Sequence, residues 1–305
     1  MDEIEITRKN WIEVFILGFT WGCTFLVIEI ALRGVTPFWL AAYRIGFGGV
    51  LSVAIWQMRG GGLFRQPPSP ENWRALVLVA VLSSALPFAL ISWGQQHVTS
   101  GFTGVSMASV ALMVLPLAHV FVPGERMTLR RFAGFLIGFV GVSLLIGAQA
   151  FESTGAALEM PGRLACLGAA ACYAVSSIVM RRLPEVDPLG LSAVLLVIGA
   201  AAILPAAWIA EGPPPLPDAQ TLAVLAVLGL IPTAAANLLR VSLVRSAGPV
   251  FMSLVNYMVP VWAVLMGSLF LGEPLPPSLL LALALILAGV ALSQYGALRR
   301  LFGRG

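Results

Sequence analysis

Apolar residues run on in long unbroken blocks, and short polar breaks carrying Arg, Pro or Gly separate them from Trp11 to Tyr295. A block of about 20 residues is what a helix needs to cross the hydrocarbon core of a bilayer. The pattern predicts ten spans: Trp11–Leu32, Pro37–Met58, Trp73–Trp93, Gly101–Val122, Leu129–Gln149, Pro161–Met180, Pro188–Ala210, Ala219–Leu243, Gly248–Leu271 and Pro276–Ala297. The third is the least regular, because Pro87 and the polar stretch from Ser92 to Thr99 blur its end. Continuous rather than alternating blocks argue against a membrane β-barrel. The expected class is an all-α polytopic membrane protein with no loop long enough for a separate soluble domain.

Composition agrees. The chain is 59% hydrophobic and 10% charged, with a mean hydropathy of +0.93, whereas soluble domains carry about 25% charged residues. The net charge of +4 does not point to nucleic acid, because the arginines sit singly or in pairs between apolar blocks, as topology determinants do. With an interior N-terminus, the inner segments hold Arg8, Lys9, Arg59, Arg65, Arg74, Arg126, Arg130, Arg131, Arg181, Arg182, Arg245, Arg299, Arg300 and Arg304, and the outer loops only Arg33 and Arg163. Both termini are expected in the cytoplasm, in a multi-pass protein of a bacterial-type inner (plasma) membrane. The acidic start Met1-Asp-Glu-Ile-Glu does not resemble a signal peptide, so the first block reads as a retained helix.

One stretch occurs twice. Gly124-Glu125 corresponds to Gly272-Glu273, and Gly141-Val142 to Gly289-Val290, all 148 positions apart. Earlier spans follow at a slightly larger offset: Thr20–Phe25 aligns with Cys172–Ser177, and Pro37 with Pro188. The chain divides into a first five-helix repeat, residues 1–150, and a second, residues 151–305. An odd number of spans per repeat forces the two into opposite orientations, giving an inverted 5+5 arrangement, the signature of secondary transporters. The copies differ in detail, since Pro260 lies thirteen residues before Glu273 while the first copy has Leu112 at that offset and Pro116 nine before Glu125.

Trp21-Gly22, Pro37 through Tyr43-Arg44, and the repeated Gly-Glu before a small-residue helix resemble the EamA branch of the drug/metabolite transporter (DMT) superfamily over essentially the whole chain. Within it, the aromatic amino-acid exporters of the YddG type are one match. The resemblance implies a central cavity lined by the first, third, fourth, sixth, eighth and ninth spans, and transport of small metabolites without ATP. Carried onto this sequence, it places Trp21, Ser83, Pro87, Met107, Met113, Tyr173, Ser177, Asn237 and Asn256 near that cavity, with ordinary helix packing the alternative for each.

Enzyme readings find little support. Lys9 is the only lysine, which excludes a phosphate-binding loop ending in Gly-Lys-Ser/Thr. His97 and His119 form no His-Glu-x-x-His pair, and Ser106 lies over three helical turns from His119, too far for a nucleophile and its base. Cys23, Cys166 and Cys172 all fall in apolar blocks and read as small buried hydrophobes. No metal or cofactor is expected.

Polar groups within the membrane each need an account. Arg44, seven residues past Pro37, is a contact for carboxylate or phosphate, or else the partner of Glu29. His119 is a proton shuttle or substrate contact, or a structural hydrogen-bonding group. Arg240, beside Arg245, reads as an interface anchor. The runs Gly134-x-x-x-Gly138-x-x-Gly141 and Gly46-x-Gly48-Gly49 allow close helix approach, within a monomer or across a weak homodimer.

The expected function is a secondary transporter exporting small organic metabolites, amino acids foremost and aromatic ones among them, by alternating access. Its expected partners are the small-molecule substrate and the lipid bilayer. Pro87, Pro116, Pro232 and Pro260 supply bending points. The scarcity of membrane charge favours a neutral, zwitterionic or apolar substrate. A DMT carrier for drugs, purines or sugar derivatives, a channel, and a membrane-embedded enzyme are the alternatives.

Overall fold

The structure is a computed structural model that describes residues 6–64, 69–122, 126–147, 158–181 and 183–296. Its helices are α1 (Arg8–Ala31), α2 (Pro37–Met58), α3 (Pro70–Ala80), α4 (Leu86–Gln95), α5 (Ser100–Phe121), α6 (Leu129–Gly147), α7 (Glu159–Met180), α8 (Pro188–Glu211), α9 (Ala219–Leu228), α10 (Ala236–Met252), α11 (Val255–Leu271) and α12 (Pro277–Ser293). α3 runs into α4 through a π-helical turn at Val81–Ala85, and α9 into α10 through another at Gly229–Ala235. Among the described residues, seven helical stretches are long and apolar enough to cross a membrane: α1, α2, Pro70–Gln95, α5, α7, α8 and Ala219–Val244. α11 and α12 are shorter apolar helices, and α6 has 19 residues. The protein is a multi-pass helical membrane protein.

Local chemistry starts the helices where the polar breaks fall. Thr7 and Asn10 form a reciprocal capping box on α1, Ser69 and Thr99 cap α3 and α5, and Asp187 caps α8 through Gly190 N–H at 2.7 Å. Such side chains accept from N–H groups that have no partner within the helix. Two caps come from residues distant in sequence. Glu211, at the end of α8, accepts from Phe38 and Trp39 N–H at 3.1 Å, and from the Thr36 hydroxyl at 2.6 Å. Glu273 accepts from Ser100 N–H at 2.7 Å and Gly101 N–H at 2.9 Å. Its counterpart Glu125 lies outside the described residues.

The glycine face of α6 packs within the chain. α6 lies along α12, and an added Cβ on Gly134 would meet Gly289 O at 2.6 Å, while one on Gly141 would meet Ala282 O at 3.0 Å. Other pairings come in exchanged sets. α1 packs on α11, as α7 does on α5; α2 packs on the 229–235 turn, as α8 does on the 81–85 turn; α2 packs on α8. Each set maps onto itself when a helix is swapped for its counterpart in the sequence repeat.

Three expectations change. The ninth span does not open at Gly248: α10 continues to Met252 and the chain turns at 253–254, where Leu254 N–H bonds Phe251 O at 3.1 Å. Asn256 therefore sits exposed in the first turn of α11 rather than deep in a span. Arg163, expected in an outer loop, is buried at the start of the second turn of α7, ion-paired with Glu159 in the first turn.

Candidate functional site

The two π-turns occupy equivalent places. Val81 and Gly229, the residues that begin them, stand 148 positions apart, the offset of the sequence repeat. Each has a hydroxyl bonded back into its own helix: Ser84 Oγ donates to Ala80 O at 2.7 Å, and Thr233 Oγ1 donates to Leu228 O at 2.9 Å. Ala80 and Leu228 also stand 148 apart. The second bond has a local cause, because Pro232 has no N–H to offer Leu228 O four residues earlier. Glycines let each turn lie against the second helix of the other repeat. Gly48 of α2 abuts Thr233 and Gly229, and Gly199 of α8 abuts Ser84; Gly48 and Gly199 are 151 apart, as are Pro37 and Pro188. π-turns of this kind concentrate at functional sites.

Arg44 lies against the second turn. It is 7% exposed. Its Nε–H donates to Thr233 Oγ1 at 2.9 Å, and its guanidinium carbon sits 3.8 Å from the centroid of the Phe88 ring. Tyr173 is within electrostatic reach, and Phe47, Met107 and Tyr173 pack on the same apolar cluster as Phe88. Trp21 joins from α1, its Nε1–H donating to Pro232 O at 2.9 Å, and Asn237 Nδ2 donates to Thr233 O at 2.6 Å. α1, α2, α4, α5, α7 and the 229–235 turn thus converge on one cluster. The position equivalent to Arg44 in the second repeat is Leu195, so a symmetric frame holds a one-sided charge.

The structure therefore gathers Trp21, Arg44, Met107, Tyr173 and Asn237, with buried Pro87 adjoining Phe88. It separates the others. Ser83 sits on the first π-turn, Ser177 bonds Ala174 O within its own helix at 2.7 Å, and Met113 is partly buried further along α5. His119 is not deep. α5 ends at Phe121, so His119 falls in its exposed last turn, where Nδ1 accepts from Met127 N–H at 3.3 Å. Glu29 does not pair with Arg44. It lines a cleft of about 580 Å³ at the far end of the bundle with Arg33, Gln95, His97, Glu159 and Glu273. Of the four bending points, Pro232 lies within the second π-turn and Pro87 in the first turn of α4, directly after the first π-turn, while α5 and α11 run on through Pro116 and Pro260. Sequence reading missed Thr233 and Phe88; a Thr directly after a Pro inside an apolar block was the available signal for the first.

Comparison with known proteins places this geometry in a lineage. "Uncharacterized transporter YvbV" of Bacillus subtilis (strain 168) is 24% identical over 96% of this chain and 93% of its own length. "Uncharacterized inner membrane transporter YedA" of Escherichia coli (strain K12) is 27% identical over 93% of this chain and 90% of its own. A solved crystal structure is similar in fold, with a TM-score of 0.67 at 23% identity, covering 95% of this chain and 99% of that one. The EamA-like transporter family matches the chain twice, over residues 11–147 and again over 160–295, and the protein belongs to that family.

Proposed function

We propose that the chain is a secondary transporter built as ten spans in two inverted five-helix repeats, with both termini in the cytoplasm of an inner (plasma) membrane. It moves small organic metabolites outward by alternating access, amino acids foremost, with the aromatic amino acids of a YddG-type exporter within its range. The observation that carries this reading is the pair of π-turns. They stand at equivalent positions, each seated on the second helix of the opposite repeat. A π-turn is a place where a helix changes its hydrogen-bond register at little cost. Two of them, exchanged by the repeat, supply two matched points of flexure, one for each side of the membrane.

The reading also fits the rarity of charge. Arg44 is the charged group that bonds the 229–235 turn, through Thr233, and the residues packed around it are mostly apolar, so the chemistry suits one small, mostly apolar solute at a time. Purified protein in proteoliposomes, tested with labelled amino acids, purines, sugars and quaternary amines with and without a pH gradient, is expected to show saturable uptake and counterflow for an amino acid. Flux that neither saturates nor exchanges would make it a channel. A reporter fused to each terminus is expected to read cytoplasmic at both ends.

A further inference from the structure

We propose that Arg44 reads the carboxylate of a substrate with a single carboxylate, whose apolar or aromatic body lies in the surrounding cluster, and that the substrate's amino group is not read there. The inference rests on the transport reading and adds the chemical class of the solute to it.

Three features of the guanidinium carry it. First, its charge has no counter-ion among the described residues. No carboxylate of a described residue lies within salt-bridge distance, and Glu29 faces the far cleft instead. The other buried arginine, Arg163, behaves as a structural one does and pairs with Glu159. Buried charges without partners are costly and mark function more often than packing. Second, only one of its edges is used. Nε–H is taken by Thr233, and the Phe88 ring covers one face. The two terminal nitrogens donate to no described atom, and neither is sealed off by protein. That leaves the two terminal NH2 groups, which present a parallel pair of N–H donors in the fork geometry that matches a carboxylate. Third, the Tyr173 hydroxyl behaves in the same way. It packs on the same cluster as Phe88, which lies under Arg44, has no partner among the described residues, and is not sealed. A free hydroxyl on that cluster provides a further donor for the same anion.

The rest of the cluster limits the ligand. Phe47, Phe88 and Met107 are apolar walls. One cation suits one negative charge. The polar groups of Trp21, Arg44, Thr233 and Asn237 bond to one another and to backbone carbonyls of the 228–233 stretch, with no carboxylate of a described residue among their partners, so nothing they hold recognises an ammonium group. Leu195 at the position equivalent to Arg44 gives the bound solute a single orientation, with its carboxylate toward the 229–235 turn.

The test uses three solutes of nearly the same shape as competitors in proteoliposomes: phenylalanine, 3-phenylpropionate and 2-phenylethylamine. The two acids are expected to compete with comparable strength, and the amine about tenfold more weakly or worse, as expected for a lost charge-assisted contact. Arg44→Gln is expected to lose at least that factor for the acids with no change for the amine, while Arg44→Lys keeps part of it. Thr233→Val removes the tether but leaves the cation, and is expected to retain the preference for acids. An amine that competes as well as the acids overturns the proposal without needing any variant. Saturable transport of other solutes with no response to the two acids also overturns it, and leaves the transport reading standing. Absence of saturable transport across the wider panel removes both.

Discussion

The indole of Trp21 reaches from α1 to the second π-turn and donates to Pro232 O at 2.9 Å. That bond ties the first helix of one repeat to the π-turn of the other. Trp21→Phe keeps one aromatic ring but deletes the donor and the five-membered ring that carries it. It is expected to lower stability by at least about 1 kcal/mol, the net worth of a typical hydrogen bond, with the lost ring volume adding to it. A turnover number that changes more than KM would show that the bond acts on the conformational step. Thermal denaturation in detergent and transport kinetics check the two halves of the statement.

The carboxylates of Glu211 and Glu273 each hold the first turn of a helix that begins far from them in sequence, α2 and α5. Both oxygens of each are used, and the negative charge suits the helix N-terminus. Glu273→Gln and Glu211→Gln are each expected to cost about 1–3 kcal/mol. The two carboxylates share no partner, so the double variant should show the sum. Melting of the single and double variants in detergent measures this. Glu273 thereby acts as a turn-and-terminus contact in the repeated stretch, with its carboxylate committed to backbone.

Much of the fold was legible because bilayer thickness dictates block length. Nearly every apolar block in the sequence became a helix close to its expected limits, since lipid offers the backbone no other partner. The failures share a cause as well. Gly248-Pro249 has the look of a helix start, but α10 passes through it and the break falls at Ser253-Leu254, inside an apolar stretch with no Gly or Pro. That displacement moved Asn256 from mid-span to a helix start. Arg44 stood out because a lone cation within an apolar block needs an explanation. Its partners did not stand out, because Thr233 lies 189 positions away and no local pattern connects them. The π-turns were legible only as proline positions, and only the packing separates Pro87 and Pro232 from Pro116 and Pro260.

His119 offers a test of proton coupling. It is the one titratable imidazole on a span that sequence reading put forward as a shuttle, and the structure places it exposed at the end of α5, bonded to Met127 N–H. His119→Ala is expected to leave both the rate and the pH dependence of transport unchanged within about twofold, as surface substitutions away from buried networks generally do. A pH profile that flattens in the variant would return His119 to the mechanism.

Gly289 and Gly134 meet backbone to backbone where α12 crosses α6. A Cβ added at Gly289 would lie 2.5 Å from both Gly134 O and Gly138 N. Neither neighbour is the end of a flexible side chain, so a helix has to move. Gly289→Ala is therefore expected to cost about 1–3 kcal/mol, the usual range for overpacking. Gly46 is the matching control: nothing lies within 4 Å of its added Cβ, and Gly46→Ala, in the interior of α2, is expected to be neutral or to stabilise by up to about 1 kcal/mol through helix propensity. The contrast also separates two uses of a glycine-rich face. If the α6 face served association between copies instead of packing within one, Gly289→Ala would shift the oligomeric state with little change in monomer melting. With α12 already seated on that face, the expected result is the reverse: a lower melting temperature at an unchanged hydrodynamic size, measured by thermal denaturation and size-exclusion chromatography with light scattering.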